Sequence, residues 1–397
     1  MLARRSVAKL ALSAPLLAGV TWATRHAFAQ NKAVVMGAPI SLTGAYSRLA
    51  EEYLRGLQMW REEVNARGGL LGRPVEFKIY DDQSDPTTAT KLFEKLITDD
   101  KVDLALCPFS SPVTFAASTV TEKYKYPIVA GGATAQNIWE RGYKYIFQLY
   151  PPPDLQIRGL LEVAKQAGVK SAAVIGEDTI FTKELSQIFV KLAKQAGVEV
   201  VFYEEYGKGM TDLTPVVLKA RAKRPEMIFG ATYLPESVLI MRHLKELNFA
   251  PKIVSFLIGP ALDDYVKTLG KDAEYAIGTT LWESTLPIPG VKEFVATYKA
   301  KYRDVPPYHV AGAYGQGLIV EAAVKKAGTF DREKLRDALS TLETTTIFGG
   351  YKVNAQGVQT AKQAYIIQIQ DGRRKLIWPA DLAEAKLKAP LPAWNAR

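Results

Sequence analysis

The chain reads as an α/β protein built from two doubly wound parallel-sheet lobes joined by a hinge that the backbone crosses three times. Three observations predict it. Apolar runs of strand length alternate with amphipathic stretches of helical period along almost the whole chain. The stiffest sequence, Pro151-Pro152-Pro153, divides that alternation into two series, because consecutive prolines break both helix and ladder. Three helical stretches also precede the last strands, so the chain has to cross back to the first lobe and then return. The expected division is residues 31–150 plus 280–348 for one lobe, and 151–279 plus 349–397 for the other.

Residues 1–29 read as an export leader. Arg4-Arg5 and Lys9 are followed by an apolar run over 10–20, and Ala27-Phe28-Ala29 gives a small-x-small cleavage pattern before Gln30. The paired arginines fit a twin-arginine route, and an ordinary secretory leader that happens to carry two arginines is the alternative. Cleavage near Ala29 would release the chain into the periplasm of a Gram-negative-type cell. No cysteine follows the apolar run to take a lipid anchor, and no later stretch reaches the roughly 20 apolar residues of a membrane span.

The mature chain then runs strand, turn, helix, repeatedly. Residues 34–40 form an apolar strand that ends in Ser41-Leu42-Thr43-Gly44-Ala45-Tyr46, a polar turn into a helix over 49–66. Leu54, Leu57, Trp60 and Val64 give that helix its apolar stripe, and Gly68-Gly69 stops it. After a strand over 75–80, Asp85 caps the next helix and Pro86 takes its first position. A strand over 102–107 runs into Pro108-Phe109-Ser110-Ser111-Pro112, and one over 126–130 runs into Gly131-Gly132-Ala133-Thr134. Three strand ends with hydroxyl residues and free backbone N–H groups make a rim suited to a small anion. Beyond the prolines, helices over 155–166, 181–195, 212–223 and 236–247 alternate with strands over 172–176, 198–206, 227–232 and 252–256. A strand over 277–281 runs toward Trp282, helices follow over 291–302, 309–326 and 331–341, and late strands fall at 349–353, 363–370 and 375–378.

Charge and composition exclude several classes. The whole chain carries +10, and without Arg4, Arg5, Lys9 and Arg25 the mature chain carries 47 − 41 = +6. These charges are interleaved with no run of five, unlike a nucleic-acid-binding face. Cys107 is the single cysteine, which excludes an intrachain disulfide and reads as a buried small hydrophobe. Only His243 and His309 remain after the leader, too few for a histidine metal or haem centre. No phosphate-loop lysine, Gly-x-Ser-x-Gly elbow, His-Glu-x-x-His or paired-cysteine pattern is present. Gly312, Gly315 and Gly317 have the wrong spacing for a dinucleotide loop and read as close helix packing. The chain is therefore expected to be no enzyme and to need no cofactor or metal.

The runs Ser41-Leu42-Thr43-Gly44, Leu71-Gly72-Arg73-Pro74-Val75-Glu76 and Asp81-Asp82-Gln83-Ser84-Asp85-Pro86, with Ser110-Ser111, Ala133-Thr134, Pro235-Glu236 and Gly259-Pro260, occur in the order found in a known family. The chain resembles the periplasmic solute-binding proteins of branched-chain amino acid ABC transporters over nearly all its mature length. That resemblance implies the type I periplasmic-binding fold, a permease and ATPase complex at the inner membrane as partner, and a monomer. It also implies that Ser111 and Thr134, with the backbone of Gly132, hold a ligand carboxylate. The residues alone leave open that Ser111 merely caps its helix and Thr134 merely turns the chain. Phe181 falls where a second-lobe tyrosine is usual, and Tyr233, Tyr46 and Trp282 are further wall candidates, each equally readable as core. The family's glutamate for the ligand ammonium should directly follow Gly259-Pro260, where this chain has Ala261. Asp263, Glu236 or Glu283 could replace it, or the ligand could be an aromatic or aliphatic acid without an amine. A ligand-sensing subunit of a signalling system is the alternative to a transport role.

Overall fold

The computed structural model describes residues 32–396. The leader expected over 1–29 lies outside the described residues. The first strand, β1 (Val34–Ile40), pairs in parallel with β2 (Val75–Asp81) and β3 (Leu104–Ala105), in the order β2-β1-β3. Between them run α1 (Ser47–Ala66) and α2 (Pro86–Thr98). Asp85 caps α2 as its type predicts: a carboxylate oxygen accepts the Thr88 N–H at 2.7 Å. Helix α3 (Ser111–Lys123) follows β3, and β4 (Ile128–Ala130) pairs in parallel with β5 (Ile146–Gln148), with α4 (Asn137–Glu140) between them.

Pro153 opens α5 (Pro153–Gln166), so the third proline of the run begins a helix after the first two have carried the chain across. The second sheet has seven strands. Its parallel part holds β6 (Ser171–Glu177), β7 (Glu199–Tyr206), β8 (Met227–Ala231), β9 (Ile253–Phe256) and β10 (Ile277–Thr280). Helices α6 (Ile180–Gln195), α7 (Thr214–Ala222), α8 (Leu234–Glu246) and α9 (Asp263–Leu269) make the crossovers. The chain then builds α10 (Val291–Tyr302), α11 (Tyr308–Ala327) and α12 (Arg332–Ser340) against the first lobe. Helix α11 packs on α1 at very short range. A Cβ on Gly317 would lie 2.2 Å from the Trp60 ring, and one on Gly56 would lie 2.2 Å from the Val310 carbonyl oxygen.

Two late features depart from the expected all-parallel layout. Gly349–Tyr351 (β12) pairs with Thr344–Thr346 (β11) as a small antiparallel ribbon. The seven-stranded sheet gains β13 (Tyr365–Gln370) and β14 (Arg373–Trp378), both antiparallel. Asp371-Gly372 joins them with both residues at positive φ, 56° and 69°. A two-residue turn of that kind can only make an antiparallel hairpin. Strand order in that sheet is β14-β13-β10-β9-β8-β6-β7.

The connections between the two halves are tied together. Gln359 donates its side-chain amide to the Leu149 carbonyl at 3.3 Å, and Gln148 donates its N–H to the Gly357 carbonyl at 2.8 Å. Thr279 donates its hydroxyl to the Gln156 carbonyl at 3.2 Å. Arg374 on β14 bonds both Asp263 and Glu283.

Candidate functional site

Strand β3 ends at a strained turn. Ser110 has φ +76°, a region costly for a residue with a Cβ, and its N–H donates to the Gly132 carbonyl at 3.1 Å. That bond brings the segment 131–135 against the first turn of α3. Ser111 then locks it: its hydroxyl oxygen accepts the Thr134 N–H at 3.0 Å and the Ala135 N–H at 3.2 Å. Ser110, not Ser111, is the N-cap, and its hydroxyl faces the Val113 N–H at 3.4 Å. Gly132 is required by space, since a Cβ there would meet the Phe109 ring at 2.8 Å.

A cavity opens between this turn and the second half of the molecule. Ser111, Gly132 and Thr134 line it from the first lobe, and Phe181 and Tyr233 line it from the second. Phe181 sits in the first turn of α6 and Tyr233 at the N-cap of α8, with ring centroids 6.3 Å apart. The Thr134 hydroxyl and the Tyr150 hydroxyl, both in cavity-lining residues, are buried without a hydrogen-bond partner among the described residues. Burying a hydroxyl unpaired costs about 1–3 kcal/mol.

Two sequence candidates lie elsewhere. Tyr46 stands behind the cavity wall, its ring 5.7 Å from that of Tyr233 and beneath the Lys208 ammonium at 4.4 Å. Trp282 is buried core: its indole N–H donates to the Ile347 carbonyl at 2.8 Å and its ring meets Phe294 edge-on. Gln156, Ile258, Tyr308 and His309 line the cavity and were not among the sequence candidates. Of these, only His309 had a legible signal, as one of two histidines outside the leader. Its ring packs on Tyr308 at 3.9 Å, and its Nδ1 faces a Glu52 carboxylate oxygen at 3.4 Å.

The three acids that could have replaced the expected glutamate do not reach the cavity lining. Asp263 and Glu283 are both held by Arg374. Glu236 lies in the first turn of α8, and burial raises its carboxyl above the ordinary range. Its charge and, first, burial push Glu177 up to about 7. Cys107 is wholly buried, and burial pushes its thiol up to about 12, so it is no nucleophile.

The lobes touch across the cleft. Arg48 on α1 pairs with Asp264 on α9 at 2.7 Å. The Gln136 N–H donates to both carboxylate oxygens of Glu184 on α6 at 2.9 Å. With Tyr46 against Tyr233, these contacts describe a cleft closed over its cavity.

Three comparisons place this geometry among known proteins. A family model described as periplasmic binding protein matches residues 33–374. Leu/Ile/Val-binding protein homolog 7 of Brucella abortus is 27% identical over 377 residues, covering 90% of this chain and 94% of the relative. The leucine binding protein LivK of Thermotoga maritima superposes with a TM-score of 0.80 at 23% identity, covering 86% of this chain and 97% of that one. A solute binding protein of an ABC transporter from R. palustris, solved in complex with benzoate, superposes with a TM-score of 0.79 at 20% identity, covering 91% and 98%. At those identities the two structures show a shared fold.

Proposed function

The chain belongs to the periplasmic binding protein family, and we propose from that premise that it is the substrate-binding component of an ABC transporter. It captures a small carboxylate-bearing solute in the interlobe cleft and presents it, chemically unchanged, to a permease and ATPase complex at the inner membrane. One observation carries this reading. The cavity is closed by residues of both lobes, and its first-lobe wall is a strained turn with an unpartnered buried hydroxyl at Thr134. The relatives support it, since similar proteins are named for leucine, isoleucine and valine binding or were solved with benzoate.

In this account Thr134 and Tyr150 donate their hydroxyls to the carboxylate, and Ser111 holds residues 134–135 where that donation is made. Charge-assisted bonds of this kind contribute about 1.5–3 kcal/mol each. Phe181 and Tyr233 cover the apolar body of the solute. Closure is favoured because these contacts exist only when both lobes meet the solute at once. The leader carries the chain to the periplasm by the twin-arginine route, and the mature chain acts as a monomer.

The test is to purify the chain from periplasm under native conditions, denature it, and identify the released solute by mass spectrometry. A stoichiometric small carboxylic acid or amino acid is the expected result. A flavin, a nucleotide or a sugar would overturn the reading.

A further inference from the structure

This inference rests on the solute-capture reading and names the class of solute. Among the described residues, no Asp, Glu, Lys or Arg lines the cavity. An α-amino acid brings an ammonium as well as a carboxylate, and a buried ammonium with no counter-charge loses several kcal/mol. No nearby acid reaches the lining: Glu177 and Glu236 each keep a buried carboxylate oxygen without a partner among the described residues, but neither lines the cavity. Asp263 and Glu283 face Arg374, and Glu52 is held by Arg48 at 2.8 Å while its other oxygen faces His309. The position directly after Gly259-Pro260 carries only the buried methyl of Ala261.

The lining that remains is mostly aromatic and hydroxylic, with Leu257, Ile258 and Leu281 as its aliphatic part. Phe109, Tyr150, Phe181, Tyr233, Tyr308 and His309 surround the space from both lobes. His309 lines the space with its Nδ1 3.4 Å from a carboxylate oxygen of Glu52, which stands behind it. Among the polar lining residues, Thr134 and Tyr150 carry buried hydroxyls without a partner among the described residues, and a hydroxyl donates readily to a carboxylate. We infer that the cavity takes a small aromatic carboxylate lacking an amino group, and rejects the α-amino acid of the same skeleton for want of an acid beside it.

The test is calorimetric titration of the unliganded mature chain with matched pairs: phenylacetate against L-phenylglycine, and 3-phenylpropanoate against L-phenylalanine. Members of a pair differ by a single ammonium. The acid should bind at least about 100-fold more tightly in at least one pair. Equal or tighter binding of the amino acid overturns the inference and leaves solute capture standing. Binding of 4-methylpentanoate but of no aromatic acid removes the aromatic assignment alone. If a panel of acids and amino acids all fail to bind, the capture reading itself falls.

Discussion

The two walls of the cleft are built on opposite principles. The first-lobe wall is a backbone device: a strained Ser110, a carbonyl of Gly132 and two N–H groups held on Ser111. It presents a hydroxyl that the fold leaves unpaired. The second-lobe wall is a side-chain device of Phe181, Tyr233, Leu257 and Ile258, with no charge on it. In the proposed reading, such a pairing gives the grip on an acidic end to the lobe whose geometry is fixed by hydrogen bonds. Shape selection falls to the lobe whose side chains are replaceable without disturbing a backbone network.

The sharpest way to break that contrast is Ser111→Ala. Two buried N–H groups lose their acceptor, at about 1–3 kcal/mol each. Affinity for the solute should fall about 100-fold or more, and the melting temperature of the unliganded chain should fall with it. Thr134→Val removes a hydroxyl that stabilises nothing in the fold. Titration should show about a tenfold weaker affinity, whereas the unliganded chain should melt no lower than wild type. A lower melting point would mean that the hydroxyl is structural. On the other wall, Phe181→Leu keeps the apolar surface and loses the ring face, so affinity should drop only about threefold to fivefold.

A further effect concerns closure and pH. Burial against the first lobe pushes the Glu184 carboxyl up to about 7, although the Gln136 N–H opposes the shift. Opening the cleft would hydrate it and return it to the ordinary carboxylate range. Between those two values the closed form holds a proton that the open form lacks, so closing takes up a proton. Affinity should therefore be greatest at low pH and weaken as pH rises through roughly 5 to 7. Glu184→Gln should flatten part of that slope, with Glu177 at the neighbouring seam supplying the remainder.

Much of the fold was legible because period and punctuation agreed. Asp85-Pro86 marked a helix start that the structure reproduces, and the glycines of α11 marked close packing. The hairpin at Asp371-Gly372 was equally legible, since an Asp-Gly pair between apolar runs signals a two-residue turn. It was missed because the alternation upstream had set an expectation of parallel strands. At the site, Ser111, Gly132, Thr134, Phe181 and Tyr233 were found through resemblance in motif order, and all five line the cavity. Trp282 and Tyr46 show the limit of that method, because an aromatic next to a strand end packs as core as readily as it faces a cleft. His309, Tyr308 and Gln156 come from helices whose inward faces depend on how α11 and α5 pack, which local pattern does not encode.

The most direct test of the whole account is small-angle X-ray scattering of the mature chain, first stripped of solute and then saturated with the acid that calorimetry identifies. Two lobes that close on a guest should give a smaller radius of gyration when saturated, with a curve matching the closed arrangement. Superimposable curves, with the acid demonstrably bound, would contradict capture by closure.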